Sequence, residues 1–246
     1  MSDKQHIRLS IQAGLYGLSF LLRDGETDIY QSVSYRASHP VAIEQHLKNL
    51  LETHRHSLDT ESPVRLIHHH PWNTWVPEKY FEPSHAQWFI RTATPLLDTD
   101  TLSFDQTPGA GRVNVYVPMV NLNNLLLNYF PEIEFYHSAT MMDRYALRHF
   151  PDDGRRHVWA HSGRQDFQLG IWEGKELKFF NTFPMENTDD FLYYFFFVWE
   201  KTGMKNVPAP DILITGPEAE KWAAGLKGFV SGIRTDSPEK ELLTII

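Results

Sequence analysis

The sequence predicts a two-lobed α/β protein, and three observations carry that expectation. The order strand, strand, strand, helix, strand occurs near the start and returns in the last third. The two stretches align at a constant offset of 149 residues. Between them lies an alternating run of helices and strands, the pattern of crossover units beside a sheet.

The opening elements are strands. Ile7 to Gln12 and Leu18 to Arg23 are apolar runs separated by AGLYG, and Asp24-Gly25 is a tight-turn signal before Asp28 to Tyr35. After Ser38-His39-Pro40 the period changes to that of a helix, with Val41, Leu47, Leu50 and Leu51 on one face and Pro40 in its first turn. Val64 to His69 then reads as a buried strand. In the middle, Pro83 to Thr94 suggests a helix, Thr99 to Gly111 a loop, and Arg112 to Val120 a strand. Leu122 to Tyr129 is a further helix, Glu132 to Tyr136 a strand, and Thr140 to Phe150 a helix. Pro151-Asp152-Asp153-Gly154 is polar and turn-rich, which makes it the linker between lobes.

The second half repeats the first. His157 to His161, Phe167 to Trp172 and Glu176 to Phe183 are strands, with a turn at Glu173-Gly174. Thr188, followed by Asp189 and Asp190, supplies an N-cap and acids at the positive end of a helix that stops at Gly203. Asp211 to Thr215 is the next strand. At the offset of 149, Gly14 falls on Gly163, Leu18 on Phe167, Leu22 on Ile171 and Tyr30 on Phe179. Leu47 falls on Phe196 and Leu50 on Trp199, and Val64 to Ile67 meets Ile212 to Ile214 after a two-residue slip.

Composition narrows the functions. The 246 residues carry a formal net charge of -8 and no Lys/Arg run, which argues against nucleic acid as a partner. With no cysteine there is no disulfide, thiolate metal site or cysteine nucleophile. The polar start MSDKQHIRLS has no secretory character, and the apolar Phe191–Trp199 run falls far short of the roughly 20 residues that span a bilayer. A cytoplasmic protein is expected.

The segments LSIQAGLYGLSFLLRDG (9–25), VWAHSGRQDFQLGIWEG (158–174) and DILITGPEA (211–219) resemble the two phosphate loops and the adenosine loop of the actin and hexokinase superfamily. The layout, with NTWVPEKYF (73–81), is similar to the bacterial domain of unknown function 3822 family, and more distantly to the type IV pilus inner-membrane platform protein. The resemblance implies two ribonuclease-H-like, actin-like ATPase lobes, residues 1–150 and 151–246. Each would be a mixed five-stranded sheet with helices, the pair related by internal duplication.

The same resemblance implies a nucleotide cleft, and the residues that would run it are altered. Active relatives need a carboxylate in each phosphate loop to hold magnesium and its waters, and bare glycines so that backbone N–H groups close on phosphate. Here Gln12 and His161 stand where the acids belong, and a neutral amide is a poor magnesium ligand. Gly14, Gly17, Gly163 and Gly216 are kept, while Leu15, Tyr16, Arg164, Gln165 and Pro217 fill neighbouring positions, with Thr215 ahead of Gly216. A pseudoenzyme without catalytic residues or cofactor is therefore expected, acting as a binding protein or scaffold. The alternative is an enzyme or sensor that binds a nucleotide or phosphorylated ligand through Gln12, Gly14, Gly17, His161, Gly163, Arg164, Thr215 and Gly216.

Three other clusters carry residues with chemical potential. His68 and His70 share a face of a strand and have a metal-ligand spacing, but no carboxylate beside them orients an imidazole, so a strand-capping role comes first. The aromatic helix Phe191–Trp199 reads first as a core element and second as a face for a protein partner or a homodimer. Asp143-Arg144 and Asp152-Asp153 read as solvated surface rather than acid–base machinery.

Overall fold

The alternation in LSIQAG sends Leu9, Ile11 and Ala13 to one side of a strand and Ser10 and Gln12 to the other. In the computed structural model, which describes residues 8–24, 27–34, 40–58, 60–208 and 210–245, that strand, β1 (Leu9–Gly14), is the centre of a five-stranded sheet. β2 (Gly17–Asp24) and β3 (Thr27–Ser34) follow as antiparallel neighbours on one side. β4 (Val64–His69) and β8 (Glu134–His137) lie parallel on the other, giving the order β3-β2-β1-β4-β8. A parallel neighbour needs a crossover, and α1 (Pro40–Thr53) supplies it, burying Ile43, Leu47, Leu50 and Leu51 against Leu9, Ile11 and Ala13. The Gly25 turn, Ser38-His39 and the side chain of Val41 lie outside the described residues.

Between β4 and β8 the chain builds a three-stranded antiparallel sheet, ordered β5-β7-β6, from β5 (Asn73–Pro77), β6 (Ser103–Gln106) and β7 (Arg112–Tyr116). Val76, Val113 and Val115 pack with Ala86 and Ile90 of the short helix α2 (Ala86–Ile90). α3 (Val120–Leu127) then adds Leu122 and Leu126 to the core under α1.

α4 (Ser138–His149) follows β8, and the boundary between two compact units falls within it: residues 1–141 with 243–246 form one, and 142–242 the other. The second unit holds β9 (Arg156–Ser162), β10 (Asp166–Glu173), β11 (Glu176–Pro184), β12 (Asp211–Thr215) and β13 (Ile233–Asp236). Their order, β11-β10-β9-β12-β13, and their senses repeat those of the first sheet. α5 (Thr188–Lys201) crosses from β11 to β12 and α6 (Ala219–Leu226) from β12 to β13, and both pack on Val158, Ala160, Leu169 and Ile214. α7 (Glu239–Thr244) follows.

The ladders refine the repeat. Leu9 pairs with Leu22 and Val158 with Ile171, at the expected offset of 149. A bulge at Ile171/Trp172 then inserts a residue into β11, so Tyr30, opposite Leu21, corresponds to Phe180, opposite Gly170, and not to Phe179. Leu9 also pairs with Val64, and Val158 with Ile212, an offset of 148 and a slip of one residue rather than two. The same 148 puts Leu47 on Phe195 and Leu50 on Val198, all four buried, in place of Phe196 and Trp199.

Several elements depart from the sequence reading. β5 was not foreseen, and β6 lies inside the expected 99–111 loop, because both owe their pairing to β7 rather than to local pattern. The strand from Arg112 ends at Tyr116, and the helix expected from Pro83 forms as a turn of tight helix (Pro83–His85) followed by α2. α5 is capped by Asn187, one residue before Thr188. The Asn187 side chain accepts from the Asp189 and Asp190 N–H groups, and Asp190 reaches back to the Asn187 N–H. Gly203 ends the helix with φ 71°, as a stop glycine should.

Candidate functional site

In the first loop, Gln12 is half-buried and pairs with Ser19 and Ile67, while Gly14 and Gly17 bracket Leu15 and Tyr16 at the β1–β2 turn. A Cβ at Gly14 would lie 2.9 Å from the His69 carbonyl oxygen and 3.1 Å from its ring, so the end of β4 itself requires glycine there. In the second unit His161 pairs with Gln168, as Gln12 does with Ser19, which makes Gln12 and His161 equivalent positions of the two sheets. The Gly163 N–H donates to the Asp166 carbonyl oxygen (2.8 Å), and a Cβ on Gly163 would collide with the Asp166 carboxylate. Arg164 and Gln165 are exposed at this turn. Gly216, at φ 93°, backs onto Ser162, whose hydroxyl accepts the Glu218 N–H (3.0 Å).

His161 and Thr215 are register partners on β9 and β12, and both are buried. The Thr215 hydroxyl accepts from the Trp159 indole N–H (2.7 Å) and lies 2.8 Å from His161 Nδ1. The imidazole is thus tied to its own sheet. Asp143 is buried, unlike its expected place on the surface, because its carboxylate accepts the Trp172 indole N–H (2.9 Å); Asp152 and Asp153 are exposed.

The first unit holds a buried polar cluster that sequence reasoning saw only in part. His68, His70 and His137 are all sealed from solvent. Each ring accepts a backbone N–H at Nδ1: Met119 on His68 (3.4 Å), Trp72 on His70 (3.2 Å) and Ala139 on His137 (3.1 Å). That fixes the neutral Nε2–H tautomer, and His137 donates this proton to the His70 carbonyl oxygen (3.1 Å). Burial pushes His68 down to about 4 and His70, with help from the neighbouring imidazoles, to about 3. Burial and the same neighbours hold His137 well below the usual histidine range. A metal ligand needs the lone pair that these rings give to backbone N–H groups. Among the described residues, no group of three or more histidine and carboxylate side chains is arranged to hold a metal ion.

Beside the histidines, a relay runs through side chains of four elements. Asn73 donates to Asn114 (2.9 Å), Asn114 to Thr140 (3.0 Å), and Thr140 to the Asp105 carboxylate (2.6 Å). Asp105 also accepts the His137 N–H (2.8 Å) and the Tyr116 phenol, and burial with that carboxylate pushes the phenol well up.

The aromatic helix divides between core and surface. Phe191, Phe195 and Val198 are buried, with Trp222 stacked on Phe191 at 3.9 Å. Tyr193 (65% exposed) and Phe197 (47%) stack on the opposite side, with Lys201 over Phe197. Phe229, 72% exposed, meets half-buried Phe196 edge-on. Among the described residues, no helix is long and apolar enough to cross a membrane.

A family profile described as "Protein of unknown function (DUF3822)" matches residues 2–217. A Bacteroides thetaiotaomicron protein described as having an actin-like ATPase fold and unknown function superposes with a TM-score of 0.80 at 19% identity, covering 100% of this chain and 99% of that one. The PilM–PilN type IV pilus biogenesis complex gives a TM-score of 0.58 at 12% identity, covering 98% and 91%. At these identities the likeness shows the fold. No curated relative matches the chain.

Proposed function

We propose, from the premise that the chain belongs to the DUF3822 family and carries the actin-like ATPase fold, that it is a cytoplasmic pseudoenzyme that works by binding protein. The observation that carries this reading is how the loop N–H groups are used. In a working relative those groups close on phosphate. Here the Gly163 N–H goes to Asp166 and the Glu218 N–H to Ser162, inside the chain. Gly14, Gly163 and Gly216 are each accounted for by contact with His69, Asp166 and Ser162. With Gln12 and His161 in the acid positions, and the Asp166 carboxylate buried against Gly163, the acids that would hold magnesium are out of place and those two N–H groups are not offered to phosphate.

Protein binding is supported by the Tyr193–Phe197–Phe229 face, since aromatic side chains lead interface centres. The PilM–PilN complex is a protein assembly on a similar fold. The net charge of -8 speaks for a protein partner rather than nucleic acid.

Calorimetric titration and thermal shift with ATP, ADP and Mg²⁺ test the reading. The expected result is no saturable heat and no rise in Tm; saturable stabilisation by any of them overturns it, because a ligand that prefers the native state must raise its stability. For the aromatic face the informative variant is Phe197→Glu, because Phe195 is buried and its replacement would damage the core. Capture of a protein partner by wild type and by Phe197→Glu should show binding lost in the variant.

A further inference from the structure

On the face of the first sheet opposite α1, three polar side chains stand in one row. Ser10 of β1 is the register partner of Arg65 on β4, and Arg65 is the partner of Glu134 on β8. Matched positions on neighbouring strands point to the same face. Ser10 and Arg65 are each only 1% exposed, and an arginine so deeply buried has its donors committed. Arg65 Nε and Nη2 donate to Glu134 (3.1 and 2.8 Å), and the guanidinium lies 5.0 Å from the Tyr136 ring centroid.

The remaining donors of the row meet the end of α7. The Ser10 hydroxyl donates to the Leu243 carbonyl oxygen, and Arg65 Nη1 donates to the Ile245 carbonyl oxygen at 2.9 Å. The Leu243 carbonyl belongs to the last turn of α7 and Ile245 directly follows the helix, so neither oxygen has a partner within it, and a cation is favoured there. The side chains of Leu243 and Ile245 are buried. Residues 243–246 belong to the first compact unit, although 142–242, directly before them, form the second. They are therefore a short arm, preceded by the Ser237–Pro238 link between β13 and α7. What the row recognises is two main-chain carbonyls at the end of this segment, and a second copy of the chain carries them in the same form.

We propose that the Ser10–Arg65 row is a docking site for a helix C-terminus, filled in cis by Leu243–Ile245 and in trans by the same segment of a second copy. Exchange of the arm gives a closed dimer at low cost, because every contact broken in one chain is remade in the other. This site is separate from the Tyr193–Phe197 face and does not depend on it.

Complementation tests the proposal. Leu243→Asp spoils the arm and leaves the row intact, while Arg65→Met spoils the row and leaves the arm intact. Wild type is expected to form a dimer as concentration rises after mild warming, read by light scattering. Each variant alone is expected to stay monomeric, with a fold verified by circular dichroism. An equimolar mixture of the two regains association, because one intact arm meets one intact row. Should Arg65→Met fail to fold, Ser10→Ala replaces it. A mixture that stays monomeric overturns the proposal, and so does a variant that dimerises alone as wild type does. Phe197→Glu is expected to dimerise like wild type; loss of the dimer there, with its retention in Leu243→Asp, would assign association to the aromatic face instead.

Discussion

The Asp105 carboxylate accepts the Thr140 hydroxyl at 2.6 Å, and that bond fastens the inserted three-stranded sheet to the first turn of α4. With the His137 N–H and the Tyr116 phenol also donating to Asp105, one buried carboxylate gathers β6, β7, β8 and α4. Asp105→Asn replaces one acceptor oxygen by an N–H₂ that faces donors. Stability is expected to fall by about 2–3 kcal/mol, the cost of leaving buried donors unpaired, as read from urea unfolding.

The histidine cluster sets a pH dependence. The unfolded chain takes up protons on His68, His70 and His137 below about pH 6.5, whereas the folded chain holds His68 neutral to about 4 and His70 to about 3. Because the folded values are depressed, stability is complete above about pH 6.5 and falls as pH drops towards 4. The slope from each histidine approaches about 1.4 kcal/mol per pH unit. Urea midpoints between about pH 7 and pH 5 should fall accordingly, and His68→Phe should make the fall shallower by one histidine's share.

The capping box of α5 gives a local test. Asn187→Ala removes the acceptor for two N–H groups at the helix start and is expected to cost about 1 kcal/mol. Thr188→Ala, which leaves the Asn187–Asp190 bonds in place, should cost less in the same thermal unfolding assay.

Two neighbours on that helix should separate stability from binding. Phe195→Ala empties a site packed between Phe191 and Trp199 and is expected to cost about 3–5 kcal/mol. Phe197→Glu changes an exposed ring and should stay within about 0.5 kcal/mol of wild type. A comparable loss in both would place Phe197 in the core.

Much of the second half was legible because its elements are periodic and its turns carry their own chemistry. The strand expected at Asp211 to Thr215 is β12 to the residue, and the strand expected at Val64 to His69 is β4. The one-residue slip in the repeat was not legible, since the change of offset from 149 to 148 shows only in which residues of β4 and β12 pair with β1 and β9. Asp105 was hidden for a related reason. It is a lone acid in a stretch that reads as loop, and its partners Thr140 and His137 lie 35 and 32 residues away.

By itself, the sequence determined two runs of strand, strand, strand, helix and strand, and set Gln12 and His161 at matching points of the two runs. Those features live in local periodicity and residue identity, which need no partner to be read. Only the tertiary structure decided that Gly14 answers to His69, that His68 and His70 are neutral acceptors of backbone N–H groups, and that Ser10 and Arg65 hold the end of α7. Each of these depends on which distant groups burial brings together, because a polar side chain takes its role from the partner that satisfies it once water is gone.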